Sequence, residues 1–142
     1  MDIEEEYDYH GALVVVESGV DEIVLIHPLG APADAPASLP SDPCQPGEEP
    51  LDAAVRIVRE KTGLDVSITR EFVTFIQHGT PTGTMCAHGF VGTVTGGELL
   101  EDGPEGAAVA YPLDDLPAIV PIRVANRTAL DEYLRQRSLR GV

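Results

Sequence analysis

Tryptophan is missing from this chain, cysteine appears twice, and positive charge is scarce, with 9 lysines and arginines against 24 acidic residues. Long apolar runs are missing too. The longest, Gly11 to Val16 and Ile23 to Ile26, fall far short of the about 20 residues that cross a bilayer as a helix, so no membrane segment is expected. Cys44 and Cys86 are too few for a disulfide framework and fit no zinc-ligand spacing, which leaves two reduced thiols as the expectation. A formal net charge of -15 repels nucleic-acid phosphates and anionic lipid through the general field of the protein, so neither polymer is an expected partner. A small anion would need a local positive site. The opening residues from Met1 to Tyr9 are acidic, the reverse of the basic start of a signal peptide, and a cytoplasmic location is therefore expected.

The 142 residues, 43% of them hydrophobic, suffice for one contiguous core. One domain over 1–142 is expected, with 1–9 as an acidic N-terminal segment and 138–142 as a short tail. Gly11 to Val16 and Glu22 to His27 are β-branched runs around a turn at Ser18 to Asp21, a leading hairpin. From Pro28 to Pro50 the chain is rich in Pro, Ala, Asp and Ser without either regular period, and a long surface loop is expected there. Pro50 suits a first helical position and Gly63 a left-handed stop, so a helix is expected from Pro50 to Thr62. Leu64 to Gln77 and Thr84 to Val94 are strand-like around Gly79 to Gly83, and Ala107 to Pro112 adds a short strand. A last helix from about Val124 to Arg137 puts Leu130, Tyr133 and Leu134 on one face, with Arg135 and Arg137 near its negative end. Strands, helix, strands, helix indicate an α/β or α+β class.

The stretch from Leu39 to Leu64 resembles the Nudix box: Gly, five residues, Glu, seven residues, then Arg-Glu-aliphatic-any-Glu-Glu-any-Gly-aliphatic. Glu48, Arg56, Val58, Glu60, Gly63 and Leu64 match it, whereas Asp42 stands for the Gly, and Ile57 and Lys61 stand for two of the glutamates. The leading hairpin, Leu39-Pro40, and Tyr111-Pro112-Leu113-Asp114-Asp115-Leu116-Pro117 extend the resemblance over most of the chain. It implies a mixed β-sheet sandwiched between helices. In the family the box's helix presents glutamates to Mg²⁺ or Mn²⁺ ions, which neutralise a substrate diphosphate and orient the attacking water.

Positions 57, 60 and 61 are three and four residues apart and share a helix face. Here that face reads Ile, Glu, Lys. A hard divalent cation takes several oxygen ligands, and one carboxylate beside an ammonium binds it poorly, so metal binding is expected to be weak. By the resemblance, Glu60 and Glu48 are the candidate catalytic residues. Glu60, Asp42 and Glu49 are the candidate metal ligands, with Glu98, Glu101, Asp102 and Glu105 further acidic groups of unplaced reach. Lys61, Arg56 and His78 are the candidate substrate contacts. Arg56 and Glu48 have a structural alternative as a salt bridge fixing the loop, Ile57 as packing under that loop, and Lys61 as a solvated cation at a helix end. Histidines 10, 27, 78 and 88 show no metal-ligand spacing, each in or beside an expected strand, and no Ser-His-Asp or Cys-His arrangement is legible.

Two functions compete at this point. One is a divergent hydrolase of a nucleoside diphosphate linked to another moiety, with weak or lost metal-dependent catalysis. The other is a non-catalytic module that binds a nucleotide-like anion or a protein partner. A homodimer is one assembly such a chain could form. Nothing in the sequence identifies the base, the sugar or the attached group.

Overall fold

Alternation along one strand organises the molecule. In β1 (Tyr9–Gly19) the even residues Ala12, Val14 and Val16 enter one apolar cluster, and the odd residues Leu13 and Val15 enter another. This is the period-two consequence of a strand buried on both faces. The computed structural model describes residues 7–28, 30, 32, 36–104, 106–115 and 124–139. Its further strands are β2 (Glu22–Pro28), β3 (Ser41–Pro43), β4 (Leu64–Thr80), β5 (Gly83–Gly97) and β6 (Gly106–Pro112), with helices α1 (Pro50–Thr62) and α2 (Val124–Leu139).

The strands form one mixed sheet in the order β4-β5-β1-β2-β6, with β3 also paired to β1. Among the described residues only β1 and β5 run parallel; the other pairings are antiparallel. α1 covers the even face of β1 through Ala53, Ala54, Ile57 and Val58, and α2 covers the odd face through Ala129, Leu130 and Tyr133. The expected sandwich of a mixed sheet between helices is present. α1 ends at Gly63, whose φ of 82° is left-handed and whose N–H bonds Arg59 O. A Cβ at position 63 would lie 2.2 Å from Glu98 O, so only glycine fits this stop.

Two expectations need correction. The region from Pro28 to Pro50 is not featureless loop: Ser38 bridges Ile26, β3 pairs Gly11 to Leu13, and Ala37 and Leu39 are buried. The first half of β1 lacks β2 as a partner, and the backbone of residues 40–44 satisfies it through Val14 N–H to Pro40 O and Cys44 N–H to His10 O. Such pairing uses backbone groups and leaves no side-chain pattern. The terminal segments are also shorter than expected. Asp8 is fastened to β5, donating its N–H to Thr84 O and accepting Thr84 N–H at Oδ2, while Ser138 and Leu139 belong to α2. Glu105, Leu116 and Pro117 lie outside the described residues. No helix among the described residues is long and apolar enough to cross a membrane.

Candidate functional site

The loop before α1 is fixed to the helix by charge. Arg56 donates from Nε to Glu48 Oε2 at 2.8 Å and from Nη2 to Glu48 Oε1 at 2.9 Å. Its Nη1 donates to Glu60 Oε1 at 2.9 Å, one helical turn on, and Nη2 also reaches Pro43 O at 3.3 Å. Glu48 Oε1 accepts the Gln45 N–H as well. These donors, Arg56 first and the Gln45 amide next, hold the Glu48 carboxyl below the usual glutamate range, and Glu48 in turn raises Arg56. Burial, with Glu48 second, pushes the nearby Cys44 thiol up.

The face carried by positions 57, 60 and 61 does not open as a common cleft. Ile57 is fully buried between α1 and the sheet, among Val14, Val58 and Phe90. Lys61 is 5% exposed on the same inner side, four residues on, whereas Glu60 stands on the outer rim with its side chain 51% exposed. Lys61 is thus not the solvated helix-end cation of the structural alternative. Glu49 caps the opposite end of α1. Eleven residues separate it from Glu60, about 16 Å along a helix, too far to share one ion. Glu98, Glu101 and Asp102 are exposed on the segment that closes over the C-terminal end of α1 through Glu98 N–H to Gly63 O and Leu100 N–H to Thr62 O. The divalent ion that the resemblance implies therefore does not fit the donor set of this helix: a hydrocarbon, an ammonium and one carboxylate already held by an arginine.

A cleft of about 480 Å³ opens elsewhere, lined among others by Tyr9, Leu39, Asp42, Gln77, Thr80 and Asn126. It lies at the start of β1 on the face covered by α2. Asn126, buried on α2, accepts the Leu39 N–H at 3.1 Å and so holds the cleft's rim to the helix. The Tyr9 hydroxyl meets Thr80 Oγ1 at 2.6 Å across the opening. Of the candidate residues only Asp42 borders this space. Glu48, Glu49, Arg56, Glu60, Lys61 and His78 do not, and His78 is exposed on β4 next to Gln77, which does. The lining carries hydroxyls, amides and one carboxylate, with neither lysine nor arginine among the described residues. Tyr9, Gln77, Thr80 and Asn126 escaped the sequence reading, since no motif joins them.

A second grouping was missed as well. His10 on β1 and Cys86 and His88 on β5 converge on the α1 face, with Glu71 of β4 behind them. Cys86-x-His88 places both residues on one strand face, a signal available in sequence. His10 is joined to them only by the pairing of distant strands.

The NUDIX domain family pattern matches residues 9–133. A Bacillus subtilis (strain 168) protein assigned as an 8-oxo-dGTP diphosphatase is 30% identical over 101 residues, 71% of this chain and 64% of the relative, so the chain spans less than two thirds of that protein's length. A NUDIX hydrolase from Nitrosomonas europaea has a similar fold, with a TM-score of 0.72 at 18% identity over 90% of this chain and 89% of that one. An ADP-ribose pyrophosphatase from Streptococcus suis 89-1591 superposes with a TM-score of 0.69 at 23% identity, covering 94% and 92% of the two chains.

Proposed function

The chain belongs to the Nudix family, and from that membership we propose that it is a divergent Nudix protein that binds a nucleoside diphosphate linked to another moiety, with the family's metal-dependent hydrolysis weak or lost. One observation carries this reading: of the helix positions where the family holds metal, Ile57 is buried in the core, Lys61 is a buried ammonium, and Glu60 is tied to Arg56. Tight Mg²⁺ or Mn²⁺ binding would need carboxylates there.

The cleft supports retention of a ligand. Its hydroxyl and amide groups suit the base and sugar of a nucleoside. Glu48, Arg56 and Glu60 act in this reading as positioning residues that set the loop from Asp42 to Glu49. Residues 1–142 are proposed as one domain, and two unbridged cysteines suit a reducing compartment such as the cytoplasm.

The test is a titration of the protein with ADP-ribose and 8-oxo-dGTP, the compounds named for its relatives, with and without Mg²⁺, following binding by calorimetry and product by chromatography. Binding with little turnover, insensitive to Mg²⁺, is expected, and Asn126→Ala and Gln77→Ala should weaken it. Fast hydrolysis that saturates at micromolar Mg²⁺ would overturn the reading. Turnover absent altogether, with binding intact, identifies a binding module.

A further inference from the structure

We propose that His10, Cys86 and His88 form a binding site for a zinc-class transition metal ion, separate from the cleft and from the box helix. The strand register builds it. β1 and β5 run parallel, with His10 beside Cys86 and Ala12 beside His88. Side chains two apart share a face, so His10, Cys86 and His88 all project to the side that carries α1, next to Ala12 and Phe90. Their ligand atoms lie within 4.8 Å of one another.

The spacings suit a tetrahedral ion. His10 Nδ1 and His88 Nε2 are 2.9 Å apart, and Cys86 Sγ is 3.8 Å from His88 Nε2. Around a tetrahedral zinc the corresponding edges are about 3.3 Å between two imidazole nitrogens and about 3.6 Å between nitrogen and sulfur, so shifts of a few tenths of an ångström complete the geometry.

The outer contacts match what a histidine ligand needs. His88 turns Nδ1 to Glu71 Oε2 at 3.0 Å, and Glu71 Oε2 also accepts from Thr74 Oγ1. A proton on Nδ1 donated to that carboxylate leaves the Nε2 lone pair facing the centre of the cluster. His10 turns Nε2 to the Tyr7 hydroxyl at 3.3 Å, with the tyrosine ring edge-on to the imidazole. Each imidazole thus has a partner on the nitrogen that points away from the site.

Two imidazoles and a thiolate select zinc and its neighbours over Mg²⁺ or Mn²⁺, which take oxygen. Without metal, one proton is shared between His10 Nδ1 and His88 Nε2. Binding moves it to His10 Nε2, where the Tyr7 oxygen accepts it, and expels the Cys86 thiol proton to solvent. The ion then carries three protein ligands, and the exposed side at His10 leaves a fourth position for water or a small ligand. The site joins strands whose ligands are 76 to 78 residues apart in sequence.

The experiment uses the tag-free, reduced chain. Zn²⁺ is titrated by calorimetry, and Co²⁺ serves as its spectroscopic stand-in. One equivalent of Zn²⁺ should bind at micromolar concentration or below, unaffected by millimolar Mg²⁺. Co²⁺ should give intense tetrahedral bands and a thiolate-to-cobalt charge-transfer band that vanishes in Cys86→Ser. His10→Gln, an exposed change that leaves the core intact, should lower Zn²⁺ affinity at least tenfold, and Glu71→Gln should lower it by about 10- to 100-fold. A weak octahedral Co²⁺ spectrum without a thiolate band, or Zn²⁺ affinity unchanged in His10→Gln, overturns the proposal. Neither result depends on whether the cleft binds a nucleotide.

Discussion

Arg56 and Glu48 meet fork to fork, with two parallel hydrogen bonds of 2.8 and 2.9 Å, and so lock the loop ahead of α1 onto the helix's second turn. Both side chains are largely withdrawn from solvent, at 20% and 15% exposure, which puts the pair above an ordinary surface salt bridge. Arg56→Lys keeps the charge and loses the fork, and should cost about 1–3 kcal/mol in urea unfolding. A loss under about 0.5 kcal/mol would mean that the loop is held by its backbone contacts instead.

Acid should erase the benefit of that pair. The folded Glu48 carboxyl sits below its ordinary value, so its contribution is fully present above the unfolded value of about 4.3 and is lost as pH falls through the folded one. Glu48→Gln should therefore be less stable than the parent at pH 7, and the gap should narrow steadily below about pH 4. Urea midpoints across this range check the sign; a gap that stays constant with pH contradicts it.

Millimolar Mg²⁺ should raise the melting temperature little, because a ligand stabilises a protein only as far as it binds the folded state. Differential scanning calorimetry decides. A large shift saturating at micromolar metal would show that carboxylates other than Glu60 hold the ion, and Asp42, Glu49 and Glu105 are then the residues to replace.

Restoring the box's missing carboxylates is predicted to work unevenly. Ile57→Glu puts an unpaired carboxylate in a fully buried apolar position and should destabilise the chain by about 3 kcal/mol or more, far beyond Ile57→Val. Lys61→Glu also puts a carboxylate at a buried position and should cost stability, but it removes an ammonium as well as adding a carboxylate, so it alone should bind Mg²⁺ better than Ile57→Glu alone. Thermal melts and metal titration of both single variants, checked first for folding, decide it. Equal metal affinity in the two would remove Lys61 as the principal obstacle.

The elements that local chemistry specifies were legible. Pro50 and Gly63 bracket α1 at its observed ends, and the β-branched runs either side of Asp21, with its φ of 59°, give the leading hairpin. The box's residues also led to the family, since Glu48, Arg56, Glu60 and Gly63 keep the family spacing. What remained hidden depends on distant pairing or on depth. β3 is Ser41-Asp42-Pro43, a strand without strand formers, held by the backbone of β1. Helix periodicity grouped positions 57, 60 and 61, but it could not tell that 57 and 61 are buried while 60 stays outside. The histidines showed no ligand spacing because the spacing runs across strands, from His10 to Cys86 and His88.

The parallel pairing of β1 with β5 also sets the order in which this chain can complete itself. Tyr9 to Glu17 wait for Met85 to Thr93, and closing so long a loop carries a high entropic cost before any contact repays it. A nascent chain can form the β1–β2 hairpin and add β3 early, yet one side of Ala12 to Val16 stays unpaired until residue 93 has left the ribosome. A translational pause between residues 43 and 83 would expose the apolar strand edge from Ala12 to Val16, at the stage when it is most open to pairing with another chain.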